Sequence, residues 1–229
     1  MLGQLEQDVQ REGRFASDVS HELRSPLAGL RAQLEEAQLY PGETSLHDLL
    51  DRALRGIDRL EAIVSDLLML ARVQANAPRA VEEVDLAELV RTELSRRTDR
   101  LTHRLRLEPE VTVNIVRTQI DRVFTNLMDN AQRHGERLVE VVVRRAGDSA
   151  ELTVADDGAG IAQADREAIF ERFARLPASR SLDSGGTGLG LAIAREIAHA
   201  HSGTLQVEDS PTGACFALRL PLARSSPAE

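Results

Sequence analysis

A single cysteine, Cys215, occurs in the 229 residues, which excludes an intrachain disulfide and any cysteine-cluster metal site and fits a reducing compartment. No window approaches the roughly 20 apolar residues of a membrane-spanning helix. The opening MLGQLEQDVQREGR is too polar for a signal peptide, so the chain reads as soluble. That opening is acidic, amphipathic and uncapped, and reads as a piece of something longer. A basic excess is also missing: the formal net charge of -9 leaves nothing to neutralise a phosphate backbone, which argues against direct nucleic-acid binding but leaves room for a local anion site. Repeats and low-complexity tracts are absent as well, apart from a frayed tail at 224–229. What is present is an apolar content of 42%, enough for at least one real core.

The apolar residues fall into two regions of different period. Phe15, Val19, Leu23, Leu27, Leu30, Leu34 and Ala37 follow one another at intervals of four and three, which predicts one long helix. Residues 40–44 break the pattern. Leu46, Leu50, Ala53, Ile57, Leu60, Val64, Leu67 and Ala71 then alternate at four and three, the seam of a coiled coil or bundle, with Leu49, Ile63 and Leu68 beside it. Two such helices joined by a short loop form a hairpin. Its flanking apolar residues need a cover, which pairing into a dimeric four-helix bundle supplies; packing onto the rest of the same chain is the alternative.

On the first helix, His21 lies two residues, about 200°, from both Val19 and Leu23, and so points away from the seam. Pro26 removes the helical hydrogen bond to Glu22 and is expected to bend the helix just beyond.

The segment QANAPRAVEE is small, polar and proline-containing, a linker. The chain thus divides into a hairpin at 1–75, a linker at 76–83, a second domain at 84–223 and the tail. In the second domain the pattern predicts helices at about 85–97, 118–133 and 189–201, and strands at 103–108, 111–116, 138–145, 150–156, 203–209 and 214–221. Hairpin-linked strands mixed with helices suggest an α+β two-layer sandwich with one mixed sheet.

In RTQIDRVFTNLMDNAQRHG, Ile120, Val123, Phe124, Leu127 and Met128 are expected to pack inward. Asn126 lies one turn ahead of Asn130, Arg133 and His134, which stand at i, i+3 and i+4 and share a face. A carboxamide oxygen there suits Mg²⁺, a hard ion that binds few protein ligands besides substrate phosphates; a solvated polar face is the plainer reading. At the end of a strand, VADDGAGI gives Gly158 and Gly160 for a tight turn and close approach of a flat ligand, and either Asp156 or Asp157 to accept from an amino group. Gly185, Gly186, Gly188 and Gly190 open an apolar helix, where unpaired N–H groups can meet an anion. No lysine follows at Walker spacing, and no βαβ unit frames a dinucleotide fingerprint. Between the glycine clusters lies AQADREAIFERFARLPASRSLDS, amphipathic around Ile169, Phe170 and Phe173 and then rich in arginine, either a plain surface loop or a cover for a bound ligand.

Taken together, FASDVSHELRSPL, FTNLMDNAQRH, DDGAG, IFERFARL and GGTGLGL resemble, in order, the phosphoacceptor, asparagine, first glycine, phenylalanine and second glycine boxes of sensor histidine kinases. Their ATPase domain is shared with gyrase-type and Hsp90-type proteins. The resemblance spans residues 12 to 221 and implies the ATPase sandwich of that type, ATP and Mg²⁺ as cofactors, a homodimer, a response-regulator receiver domain as partner, and an upstream membrane-anchored sensor.

The resemblance also implies roles. His21 is the phosphorylated histidine, Glu22 the carboxylate that withdraws its proton, and Ser25 the hydroxyl, where threonine is common, at the position tied to removing phosphate from the receiver. Asn130 is the Mg²⁺ ligand, with Asn126 lining the nucleotide site, Arg133 near phosphate, and His134 where tyrosine is frequent. Asp156, in preference to Asp157, accepts the adenine amino hydrogen beside Gly158 and Gly160. Gly186, Thr187, Gly188, Leu189 and Gly190 form the hinge of the ATP lid, and Arg175 reaches the γ-phosphate. Ser202 stands where glycine is frequent.

Overall fold

A computed structural model describes residues 2–40, 45–75, 80–174 and 186–223, with side chains in the first helix from Val19 onward except Glu22. Two compact units divide it, one taking the chain as far as Leu68, the other beginning at Met69 and holding the sheet.

The first unit contains α1 (Leu2–Leu39) and most of α2 (Leu46–Gln74). α1 continues through Pro26. Its part-covered stripe is Val19, Leu23, Pro26, Leu30, Gln33 and Ala37, again at intervals of four and three. Leu27 and Leu34, expected on the seam, are instead 52% and 44% exposed. In α2 the phase shifts in the same way: Leu49, Ala53, Gly56, Leu60, Ile63 and Leu67 are covered, whereas Leu46, Leu50, Ile57, Val64 and Ala71 face outward. The reason is that α2 is apolar over two adjacent stripes, and a four-three count fits both. Gly56 lies in the covered stripe, packed against the Leu30 side chain. The other stripe is left open.

The second unit contains β1 (Glu82–Asp85), α3 (Leu86–Ser95), β2 (Thr102–Leu107), β3 (Thr112–Ile115), α4 (Arg117–His134), β4 (Leu138–Ala146) and β5 (Ser149–Asp156). Two short 3-10 turns, Gln163–Asp165 and Ala168–Phe170, precede α5 (Gly190–Ala200), β6 (Thr204–Glu208) and β7 (Cys215–Pro221). The main sheet has five strands in the order β2-β4-β5-β7-β6, parallel only between β2 and β4. The expected single sheet is in fact two, because β3 pairs antiparallel with β1 rather than joining the main sheet. β1 also takes up the last two residues of the predicted linker. Its sequence EEVD has one apolar residue, Val84, so no alternation announces a strand; Val84 is nevertheless buried. Asp85 then caps α3, accepting from the Ala87 N–H at 2.7 Å.

One face of the sheet carries the core. Val139, Val141, Val143, Leu152, Val154, Phe216, Leu218 and Leu220 alternate inward, as a half-buried antiparallel sheet requires. Ile120, Val123, Phe124, Leu127 and Met128 of α4 are fully buried, as their spacing predicts, each contributing about 1.5–3 kcal/mol of apolar burial. Phe170 packs edge-to-face on Phe216, with ring centres 6.2 Å apart, and Arg195 lies over Phe170 at 4.8 Å. On the opposite face Glu151 is almost wholly covered and held by Arg144 and Arg219 at 2.6 and 2.7 Å. Burial pushes its carboxyl up, but the hydrogen bonds from Arg144 and Arg219 outweigh that and leave Glu151 below its ordinary range.

At the end of α5 the His201 ring accepts the Val116 N–H on Nε2 at 3.0 Å, which puts its proton on Nδ1, 2.8 Å from the Ile197 carbonyl. The next residue, Ser202, has φ +56°, the left-handed conformation in which helices commonly end on glycine. Ser202→Gly is expected to stabilise the fold by about 1 kcal/mol, seen as a higher urea midpoint at unchanged slope.

Candidate functional site

α4 delivers most of the polar side chains that the sequence singled out. Because it is helical from Arg117 to His134, its inward apolar face fixes where the others stand. Asn126 and Asn130 are half-buried, and Arg133 and His134 are exposed on the final turn. Asn126 donates through Nδ2 to the Gly190 carbonyl at 2.8 Å, tying the asparagine face of α4 to the start of α5.

Asp156 ends β5 and is 4% exposed. Its Oδ1 accepts the N–H groups of Gly158 at 2.9 Å and Ala214 at 3.2 Å. Its Oδ2 is buried with no hydrogen-bond partner among the described residues. Burial raises the carboxyl above its usual value, against the opposing pull of the Gly158 and Ala214 amides and of His134. A buried acceptor without a partner is costly unless a ligand supplies the donor. Gly158 brings the loop close to α4: a Cβ there would lie 2.1 Å from the His134 carbonyl oxygen. Of the two adjacent carboxylates, Asp156 is the buried one with an unpartnered oxygen. Gly160 has φ +75°, as the expected tight turn requires.

The second glycine cluster meets the phenylalanine segment. Phe173 donates its N–H to the Gly188 carbonyl at 2.8 Å, and a Cβ on Gly188, whose φ is +73°, would fall 2.8 Å from the Phe173 Cα. Leu189 is fully buried and precedes α5, whose first turn no side chain caps. An uncapped helix start suits an anion. Gly186 and Thr187 cluster with the first unit, and there Thr187 donates to the buried Asp66 at 2.8 Å. Arg175 lies outside the described residues.

His21 is exposed on α1, as its phase predicts, and Ser25 is exposed four residues later; the Glu22 side chain is outside the described set. The structure thus brings together Asn126 with Gly190, and Asp156 with Gly158 and the end of α4, all in the second unit. His21 belongs to the first.

The donor set fits a purine nucleotide: an unpartnered buried acceptor for an amino group, a backbone without a side chain at the close approach, and an uncapped helix for phosphate. Asn130 fits one oxygen ligand to an ion that arrives with phosphates. Among the described residues no cluster of His, Cys, Asp or Glu could hold a metal by itself.

Three contributors were not predicted. Asp157 accepts the N–H groups of Glu136, Arg137 and Leu138 on one oxygen. Gln132 accepts those of Arg100 and Leu101, while Arg100 binds the Gln132 and Gly135 carbonyls at 2.9 and 3.0 Å. These are contacts to backbone far away in sequence, which side-chain periodicity does not encode. The only signal was the doubled Asp in DDG.

Two family models match the chain in succession: the His Kinase A phospho-acceptor domain over residues 11–76 and the histidine kinase-, DNA gyrase B- and HSP90-like ATPase over 115–224. Sensor histidine kinase MtrB of Mycolicibacterium paratuberculosis is 36% identical over 97% of this chain and 41% of its own length. Signal transduction histidine-protein kinase/phosphatase MprB of Mycobacterium sp. (strain KMS) is 37% identical over 96% of this chain and 46% of its own. The chain therefore spans less than half the length of these curated relatives. In fold it resembles Acinetobacter baumannii histidine kinase AdeS, with a TM-score of 0.67 at 24% identity over 89% of this chain and 98% of that one. A solved mycobacterial MprB chain matches with a TM-score of 0.53 at 29% identity, over 62% of this chain and 98% of that one.

The raised Asp156 carboxyl has a consequence for stability. A carboxyl whose folded pKa is above its unfolded value costs stability when ionised, and the cost disappears as pH falls through the folded value. Asp156→Asn keeps an oxygen for the Gly158 and Ala214 amides and removes the buried charge. It is expected to raise Tm at pH 7 by about 3 °C and to narrow that difference toward pH 4, measured by calorimetry without nucleotide.

Proposed function

This chain is a histidine kinase catalytic core, and from that premise we propose that it transfers the γ-phosphoryl group of ATP to His21 and then to an aspartate of a response-regulator receiver domain. The observation that supports the proposal is the buried, unpartnered Oδ2 of Asp156, an acceptor suited to an adenine amino group, in a chain that also presents an exposed His21.

In this reading the adenine lies against Gly158 and Gly160 with its amino hydrogen on Asp156. Asn126 and His134 line the nucleotide, and Arg133 and Arg175 approach its phosphates. Gly186, Thr187, Gly188, Leu189 and Gly190 frame the phosphates at the start of α5. Asn130 would hold Mg²⁺ through its carboxamide oxygen, and the ion would supply positive charge near the transferring group. A neutral imidazole is a competent nucleophile near pH 7. One ring nitrogen of His21 forms the bond to the γ-phosphorus as the bond to the ADP oxygen breaks. Glu22 takes the proton shed by the other nitrogen. The phosphoryl group then passes to a receiver carboxylate, giving an acyl phosphate, while Glu22 returns the proton to the imidazole and so restores neutral His21.

The open stripe of Leu27, Leu34, Leu46, Leu50, Ile57 and Val64 supports a homodimer, since a second copy of the hairpin covers it as a four-helix bundle. The full-length protein is proposed to add a membrane-anchored sensor, with this core on the cytoplasmic side where ATP is available. No helix of the described residues is long and apolar enough to cross a membrane. A phosphatase activity toward the receiver is a second reading. It is favoured by the exposed Ser25 hydroxyl on the same stretch of helix and by the kinase/phosphatase name of the MprB relative.

Incubation with γ-labelled ATP and Mg²⁺ is expected to place acid-labile, alkali-stable label on His21 and none on a His21→Gln chain. Label that persists in that variant, or is absent while ATP binds, would refute the proposal. Asp156→Asn presents an amide donor to the adenine amino group and is expected to weaken ATP binding by about 100-fold, read by titration calorimetry. Sedimentation should give a dimer for the native chain and a monomer for Leu50→Glu/Ile57→Glu.

A further inference from the structure

We propose that Asp157 is a positioning residue: by gathering the three amides that follow α4, it fixes the distance between the adenine half of the nucleotide site and its phosphate half. The inference rests on the nucleotide reading of the site given above and assigns a part in it to a residue that touches neither half.

The geometry is specific. Asp156 belongs to the ladder with β4, opposite Val139, and at Asp157 the backbone leaves it. The Asp157 side chain then takes over the pairing. Its Oδ1 receives the N–H of Glu136 at 2.9 Å, of Arg137 at 3.0 Å and of Leu138 at 3.1 Å, which are the residues joining α4 to β4. Three successive amides aimed at one oxygen make an anion nest, more than the single bond with which an Asx turn closes on its own backbone. The carboxyl responds by falling to about 2, chiefly through the Arg137 and Leu138 amides, although it is no more than half-buried. The segment so held begins immediately beyond Asn130, Arg133 and His134, and the neighbouring residue on the other side is Asp156. The same junction is tight: a Cβ at Gly158 would fall 2.1 Å from the His134 carbonyl oxygen, so only glycine lets the turn come this close. The end of α4 and the turn after β5 thus meet at one corner, held by the three Asp157 bonds. Asp157 is the only side chain among the described residues seen to bond all three linking amides.

A clamp of this kind acts on ligands that span the corner and is indifferent to ligands that sit on one side of it. ATP spans it, from Asp156 to the α4 face; adenosine occupies the Asp156 side alone. Asp157→Ala is therefore expected to weaken ATP binding about tenfold and adenosine binding less than about twofold. Asp157→Asn, whose carboxamide oxygen still accepts, should return ATP affinity to within about threefold of native. Equal losses for ATP and adenosine, unchanged ATP affinity in Asp157→Ala, or failure of Asp157→Asn to rescue would each overturn the proposal.

Hydrogen exchange on the nucleotide-free full chain supplies a readout independent of ATP. In Asp157→Ala the amides of Glu136, Arg137 and Leu138 should exchange at least about tenfold faster, with those of the α4 interior unchanged. Unchanged rates at the three amides would remove the clamp itself. If the native chain binds neither ATP nor adenosine, the nucleotide reading fails, and with it Asp157's role toward that ligand; the exchange rates then judge the clamp alone.

Discussion

A carboxylate out of reach of water at the end of a central strand is the constraint around which the second unit is organised. Asp156 is tolerable there because two backbone amides, from Gly158 and from Ala214 at the start of the final strand, converge on one of its oxygens. Those amides are available only if the chain turns back sharply after Asp156 and if the β6–β7 connection returns to the same point. The register of β5 against β7, with Ala155 opposite Cys215, brings Ala214 to that point. The other oxygen has no partner among the described residues. Gly158 and Gly213 let the backbone close around this half-satisfied group, whose burial is costly until a donor meets it.

The two units answer different physical demands. The sheet unit makes a closed core on one face of five strands and needs no second copy to bury it. The hairpin unit buries one of its two apolar stripes within the protomer and leaves the other bare. His21 sits on the exposed phase of α1, away from the covered stripe, and carries no packing duty.

Much of this could be read from residue spacing. The five large apolar residues predicted to face inward on α4 are all buried, with Gln119 and Ala131 beside them, because a helix packed on a sheet allows one apolar face. Asp156 and the glycine turns were legible because residue type and φ requirement coincide. The hairpin seam was legible only in period. With Leu at both Leu49 and Leu50 and apolar neighbours at Ile63 and Val64, the choice of stripe depends on the facing helix, which a count along one helix cannot contain. β1 escaped notice because a four-residue strand with one apolar side chain carries no alternation. Asp157 escaped for a different reason: its function lies in backbone amides about twenty residues earlier in the chain, and amides have no letter in a sequence.

His201 adds a mechanical point. Its ring joins the end of α5 to Val116, the residue before α4, while Asn126 joins the middle of α4 to the start of α5. The two helices are therefore riveted to each other at two places about half a helix apart and behave as one plate. A ligand at the start of α5 cannot be accommodated by sliding one helix past the other. Adjustment falls to the segments attached at the rim of the plate, so it is the loops around α4 and α5, rather than these two helices, that are left to give way.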